Sequence, residues 1–382
     1  MSSVEGLSDE RRALVEAVRD FARRECGTRA QRDRVTADGA DTHSPEVYAK
    51  LASLGWLGAT IPEAYGGAGG TVVDGCLLLE ELEYGLVPVF AIGVTLITAA
   101  TVQKFGTEEQ RAGVLGSVVA GRPKAIAMSE PGSGSDVGSL RTSAVRGDGG
   151  WILNGQKTWI TGAHHADEIL VVCRTDSGAP KHGGISMFLV PADAAGVEIR
   201  GIPTMAGRES NDVFLADVRV GDDAVVGTVG EGWSQLMAGL NFERLVGAAW
   251  MLGVARRAFD ETLEYVRGRH QFGRPVGSFQ ALKHRLADLA TELEATRLLI
   301  YDVARRAERD PGRSMPREAS MAKLKASELA RRMALDGMQM MGGAGYAREY
   351  EMEHLVRKAL PMTIYAGTSE IQREIIGSTY GL

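Results

Sequence analysis

The feature that most constrains this chain is a change of texture in its middle. Between Lys124 and about Gly227, short apolar runs at residues 125–128, 151–153, 157–161, 168–173 and 185–190 are separated by turn signals. Those signals are Gly147-Asp148-Gly149-Gly150, Asn154-Gly155 and Gly183-Gly184. Runs of this length and spacing predict a small antiparallel β domain. Asn154-Gly155 reads as a hairpin turn entering a strand at Gln156-Lys157-Thr158-Trp159-Ile160-Thr161. Both flanks are helical in pattern. Ser8 before Asp9-Glu10, Ser44 before Pro45, and Thr107 with Gln110 each predict a helix start, because short polar side chains cap free amides and acids suit the positive end. A glycine-rich loop, residues 65–70, lies between the first helices, and the block ends near Gly121-Arg122-Pro123. After Gly227, long helical stretches are punctuated by Gly273-Arg274-Pro275, Asp310-Pro311-Gly312 and residues 341–345. The expectation is a mixed α and β fold. It has an N-terminal α-helical domain (1–122), a middle antiparallel β domain (123–228) and a C-terminal four-helix-bundle domain (229–382), with a ligand crevice between the last two.

Composition removes whole classes of function. In 382 residues, 43 Lys+Arg against 49 Asp+Glu leave a formal charge of −6, so no basic field recruits nucleic acid or anionic membrane. Hydrophobic and charged fractions of 44% and 24% are those of an ordinary globular chain, which excludes a disordered tail. Cys26, Cys76 and Cys173 are odd in number and far apart, which points to a reducing compartment and no metal cluster. His164 and His165 are adjacent and cannot both face one ion from a regular strand, so they read as loop residues and no metal site is expected. The first twelve residues carry no apolar segment resembling a leader, and the longest apolar stretch, residues 89–102, is short of the ~20 needed to cross a bilayer. That stretch predicts a buried helix in a soluble, cytoplasmic protein. The outlier is glycine, 48 residues or about one in eight, against roughly 7% in average usage. Two further readings are plain ones: residues 301–309 as a solvated helix face, and Met333, Met338, Met340 and Met341 as packing between helices.

Two segments carry possible chemistry. Met128-Ser129-Glu130-Pro131-Gly132-Ser133-Gly134-Ser135-Asp136 follows a predicted strand and offers amides and hydroxyls to an acceptor-rich ligand; a plain polar turn is the alternative. Its spacing is neither a P-loop nor a Rossmann fingerprint. Trp159 and Thr161, two apart on a strand, share a face where an aromatic plane and a hydroxyl suit a flat heterocycle. The alternative is a tryptophan in the sheet core.

These segments, with Arg269-His270-Gln271-Phe272-Gly273-Arg274-Pro275, Phe279-Gln280 and Ile364-Tyr365-Ala366-Gly367-Thr368-Ser369-Glu370-Ile371-Gln372-Arg373, closely resemble the acyl-CoA dehydrogenase family along the whole chain. The resemblance implies FAD between the β domain and the last helical domain. Met128 (through its backbone), Ser129, Trp159, Ile160 and Thr161 would lie at the isoalloxazine ring. Arg269, Gln271, Phe279 and Gln280 would meet the pyrophosphate end of a partner subunit's FAD, where arginine's planar fork suits phosphate oxygens. Gln339 and Gly343 match the adenosine-side loop, and Thr368 and Glu370 match contacts on the closing helix, although glutamine is usual where Glu370 stands. Lys358 stands where the family usually has an aspartate after arginine, so ion pairing around Arg357 should be rearranged. The implied partners are an acyl-CoA or acyl-carrier-protein substrate, an electron-transfer flavoprotein, and further copies of the chain in a dimer or tetramer.

The implied reaction needs a base for the α proton of an acyl thioester. In many members a glutamate follows the tyrosine of the Ile-Tyr-x-Gly-Thr segment; here that position is Ala366, so either the chain is inactive or the base lies elsewhere. Glu243 is the candidate. Its helical neighbours Gly239, Leu240, Val246, Gly247 and Trp250 cannot neutralise it, and the two glycines should leave space beside it. Desolvation there should raise its pKa and strengthen it as a base. The alternative is a glutamate paired with a distant arginine or simply reaching water. The isovaleryl-CoA dehydrogenase-like and carrier-protein branches of the family place their base on this helix. The Ala366 N–H would still polarise the thioester carbonyl. Ser135, Asn241 and Arg244 match positions contacting the pantetheine and acyl portion. Two rivals remain, a flavin oxidase or monooxygenase on the same fold and a non-catalytic thioester-binding protein.

Overall fold

A computed structural model describes residues 6–382. Residues 1–5, the start of the stretch read as lacking a leader, lie outside the described residues. The chain begins with α1 (Asp9–Cys26), α2 (Arg29–Val35), α3 (Pro45–Ser53), α4 (Val72–Tyr84), α5 (Ala91–Phe105) and α6 (Glu108–Val119). Eight strands follow: β1 (Lys124–Ala127), β2 (Ser143–Gly147), β3 (Gly150–Thr161), β4 (Glu168–Arg174), β5 (Ile185–Pro191), β6 (Val197–Thr204), β7 (Gly207–Val220) and β8 (Val225–Val226). The last part holds α7 (Gly232–Gly268), the small hairpin β9 (His270–Gln271) and β10 (Arg274–Pro275), α8 (Gln280–Arg309), α9 (Pro316–Met341), α10 (Gly343–Tyr346), α11 (Met352–Ala359) and α12 (Ser369–Ser378).

The helix starts form as their capping residues dictate. Ser8 Oγ accepts from Arg11 N at 3.3 Å, Ser44 Oγ from Val47 N at 3.2 Å, and Thr107 with Gln110 closes a reciprocal box. A second box, Thr71 with Asp74 on α4, was not singled out in the sequence. The apolar stretch becomes α5, which buries Ile92, Leu96 and Val102. Among the described residues no helix is long and apolar enough to cross a membrane.

The residues group into two compact units that cut across chain order. One comprises the chain up to Arg32, Thr71–Val87 and Glu243–Leu382; the other comprises Asp33–Gly70 and Pro88–Phe242. The second unit is built on a sheet of order β6-β7-β3-β2-β4-β5-β8, with β1 also on β4. Pairing is mainly antiparallel, with two exceptions to the expectation: β1 runs parallel to β4, and β2 meets β4 in parallel at Ser143 and Arg174. The cause is topological. The β2–β3 hairpin lies between β1 and β4 in the chain, and only such an intervening segment lets two strands pair in parallel. Leu153, Ile160, Val171, Phe188 and Val213 form the centre of this core.

Asn154-Gly155 is not a hairpin turn. It lies inside the single twelve-residue strand β3, and the turn is residues 147–150, where Gly147 pairs Gly150. Asn154 Nδ2 donates to Asp217 Oδ1 at 3.0 Å and Asn154 Oδ1 accepts from Asp217 N at 2.8 Å, spanning a register shift against β7. Gly155 is needed because a Cβ there would fall 2.6 Å from Thr142 Oγ1.

The helical unit packs around a buried polar knot. Glu80 and Glu81 are essentially inaccessible; Arg256 pairs with both, Arg19 pairs with Glu81, and Tyr301 OH donates to Glu80 Oε2 at 2.5 Å. Tyr301, Val303 and Ala304 are buried, so the expected solvated face over residues 301–309 is limited to one side of α8, including Arg305 and Arg309. Met333 and Met341 are buried as expected. Arg357 bonds Glu353 at 2.9 Å, while Lys358 turns to the buried Glu83 at 2.8 Å and lies over the Trp250 ring.

Candidate active site

In the β unit the loop after β1 is held from below by one lysine. Lys157, fully buried on β3, donates to Met128 O at 3.0 Å and to Glu130 Oε1 at 2.9 Å. The Glu130 carboxylate also accepts from Arg141 N at 2.7 Å and Thr142 N at 2.8 Å. Burial pushes this carboxyl up, but the Lys157 charge and these hydrogen bonds outweigh it and hold it below the usual range. Thr158 N donates to Ser129 O at 2.9 Å. Since the carbonyl and N–H of a trans peptide point in opposite directions, fixing Met128 O on Lys157 turns the Ser129 N–H away from it.

Trp159 is not a core residue. It is 61% exposed, although its neighbours Thr158 and Ile160 are 7% and 2% exposed. The β3–β7 register slips between Lys157 and Ile160, and Trp159 sits there at φ +62°. A large side chain in this region costs about 1–3 kcal/mol, and such strain concentrates at functional positions. Thr161 is partly exposed, Ile160 points into the core, and Ser135 is exposed in the loop.

The two histidines are loop residues, as expected, yet their side chains converge. His164 and His165 lie in the turn after β3, and both Nε2 atoms reach Asp41 Oδ2, at 3.1 and 3.0 Å. A turn is free of strand alternation, so adjacent side chains converge. These three residues have the donor types of a metal site. However, Asn211 Nδ2 donates to Ile160 O and also lies 3.0 Å from His164 Nδ1. That assigns the proton to Nε2, the atom a metal would need bare. The cluster therefore reads as a hydrogen-bonded tie. Burial pushes the neighbouring His43 down to about 3, so it is neutral.

In the helical unit, Glu243 is half-buried on α7. Burial pushes its carboxyl up, opposed by the Arg244 and Lys323 charges. The space expected from the two glycines is half realised: a Cβ at Gly247 would meet nothing within 4 Å, whereas one at Gly239 would fall 3.2 Å from Thr101 Oγ1. Asn241 is partly buried and Arg244 buried.

Ala366 lies between Thr363 and α12 at φ +53°. Gln372 Nε2 donates to Ala366 O at 3.0 Å and Gly367 O at 3.1 Å, and Lys323 Nζ donates to Gly367 O at 2.7 Å. Among the described residues no acceptor receives the Ala366 N–H. Thr368 caps α12 by accepting from Ile371 N, with Glu370 exposed in its first turn. Arg269, Gln271 and Gln280 are exposed and Phe279 partly so around the β9–β10 hairpin; Gln339 and Gly343 are exposed at the end of α9. Sequence reasoning missed Lys157, Lys323 and Gln372. A signal for Lys323 was present, since its helical neighbours Ala319, Ala322, Ala326 and Ser327 form a small-residue face unsuited to a solvated ammonium.

Three domain families match: acyl-CoA dehydrogenase N-terminal, middle and C-terminal domains, over residues 8–122, 125–218 and 230–380. The chain belongs to the acyl-CoA dehydrogenase family. A subunit of the caffeyl-CoA reductase–Etf complex of Acetobacterium woodii is 34% identical over 376 residues, 97% of this chain and 98% of that one. The crystal structure of an acyl-CoA dehydrogenase from Geobacillus kaustophilus superposes with a TM-score of 0.92 at 34% identity, covering 99% of this chain and 100% of that one. The prolyl acyl carrier protein oxidase AnaB superposes equally well, at 0.92, with 27% identity and the same coverage.

Proposed function

We propose that this protein dehydrogenates an acyl thioester between its α and β carbons, with FAD as cofactor and Glu243 as the base for the α proton. The observation that carries the reading is a half-buried carboxyl raised by desolvation on α7 in a family member that has alanine at position 366. The residues present fit a flat cofactor: an indole held exposed on strained backbone in the β unit. Met128, Ser129, Trp159, Ile160, Thr161, Thr368 and Glu370 would hold its ring end. Arg269, Gln271, Phe279, Gln280, Gln339 and Gly343 would hold the remainder, from a partner copy in a homo-oligomer. When bound, FAD supplies a hydride acceptor.

The chain's own contribution is proton chemistry. Glu243, with its pKa moved toward neutrality, takes the α proton more readily than an exposed carboxylate would. The Ala366 N–H donates to the thioester oxygen as negative charge develops there, and such a pre-placed donor costs no reorganisation. Ser135, Asn241 and Arg244 would hold the pantetheine arm, which acyl-CoA and acyl-carrier protein share. The partition into domains 1–122, 123–228 and 229–382 belongs to this reading. Similarity to the Etf-complex subunit supports an electron-transfer flavoprotein as acceptor.

Glu243→Gln tests the base. Anaerobic reduction of bound flavin by a panel of CoA and carrier-bound thioesters should slow by about 10²–10⁴-fold, with flavin content unchanged. Reduction at the parent rate would overturn the assignment. Similarity to AnaB favours one second reading, an oxidase, and rapid peroxide release in air would select it.

A further inference from the structure

Three lysines are fully buried, Lys124, Lys157 and Lys323. Lys124 contacts Asp167 at 2.7 Å and Glu168 at 2.5 Å, and Lys157 contacts Glu130 at 2.9 Å. Among the described residues Lys323 has no carboxylate within ion-pair distance. Its one hydrogen-bond acceptor is Gly367 O, at 2.7 Å. A buried ammonium without a contact carboxylate is costly, so its retention calls for a reason beyond packing. Two features of its surroundings supply one. Gly367 follows Ala366, and the donors Lys323 Nζ and Gln372 Nε2 clamp the two consecutive carbonyls that fix Ala366 in its left-handed conformation. The charge acting most strongly on Lys323 is Glu243, ahead of Arg244, Glu370 and Glu328.

We propose that Lys323 is a positioning residue that couples the two halves of the proton-transfer machinery. Through one hydrogen bond it holds the loop presenting the Ala366 N–H, and its ammonium, buried without a contact carboxylate, acts on Glu243. The proposal rests on the reading of Glu243 and Ala366 above, and it assigns to a side chain on α9 a function exerted through both. Burial pushes the Lys323 ammonium down to about 8, against the pull of Glu243, which is the reciprocal of the downward pull that Lys323 exerts on the Glu243 carboxyl.

Two variants of the holoenzyme separate the arms. Lys323→Gln keeps a donor for Gly367 O and removes the charge; Lys323→Met removes both. The Glu243 carboxyl is followed by infrared titration of its C=O stretch, assigned by its loss in Glu243→Gln. Its midpoint should rise by about one pH unit in Lys323→Gln, because a nearby cation no longer stabilises the carboxylate. Amide hydrogen exchange of residues 364–368 should stay at the parent rate in Lys323→Gln and accelerate about tenfold or more in Lys323→Met. Neither readout requires Glu243 to be the base, so failure of the base assignment shows separately, as flavin reduction that survives in Glu243→Gln. An unmoved carboxyl titration, or parent-rate exchange in a folded Lys323→Met, overturns the coupling. Should Lys323→Met fail to fold, the Lys323→Gln titration decides.

Discussion

The β unit and the helical unit solve the same local problem with different electrostatics. Each holds a loop by buried hydrogen bonds from a lysine to a backbone carbonyl, Lys157 to Met128 and Lys323 to Gly367. Each also carries a non-glycine residue on left-handed backbone close by, Trp159 at φ +62° and Ala366 at φ +53°. The difference lies in the counter-charge. Lys157 touches a carboxylate that itself accepts two backbone amides, so the pair is closed and every strong acceptor is used. Among the described residues, Lys323 bonds only a carbonyl. A closed pair makes a rigid clamp with little left to respond to its surroundings. An open one leaves a charge whose energy depends on what lies nearby, which suits a group acting on Glu243.

The contrast is easiest to break through stability. Lys157→Met should cost about 3–5 kcal/mol in urea unfolding, because it strands the Glu130 carboxylate in the interior. A loss below about 1 kcal/mol would show that the clamp is not closed. Next in size is a pH effect. Lys323 has a folded value of about 8 against an ordinary lysine near 10.5, so between those values the unfolded chain binds the extra proton. Stability should therefore rise with pH across that window through this group, by at most about 3 kcal/mol. Lys323→Met should flatten the slope relative to the parent, and an identical slope would contradict the burial assigned to the ammonium. At constant pH near 7 the same variant should cost only about 1 kcal/mol, since Gln372 still serves Gly367 O and a buried charge is removed. The smallest effect expected is that of Trp159→Gly. Stability should hold or rise by about 1 kcal/mol as left-handed strain is relieved, while FAD retention on gel filtration should fall. A clear loss of stability would mean that the indole serves packing instead.

Wherever one segment's own chemistry decides, the residues could be read directly. Ser8, Ser44 and Thr107 cap because a short oxygen-bearing side chain meets free amides in any context, and a fourteen-residue apolar stretch bounded by Pro88 and Gln103 has little choice but to be buried. The order of helices, strands and helices, the family motifs and the unneutralised helical surroundings of Glu243 are legible for the same reason. Asn154-Gly155 misleads because a strong turn dipeptide also serves a bulge when the partner strand supplies Asp217. Tyr301 misleads because its charged neighbours say nothing of Glu80, which is 221 positions away.

What the linear order determined, then, was the succession of helices, strands and helices and the motifs of the family. What only the tertiary structure decided was which buried charges meet a partner. Lys157 and Lys323 are alike in the sequence, each a lysine among residues that favour burial. One finds Glu130 through the return of a loop, and the other finds a carbonyl through the approach of α12 to α9. Electrostatic energy in a low-dielectric interior depends on distances of a few ångströms between residues far apart in the chain, and no local pattern encodes those.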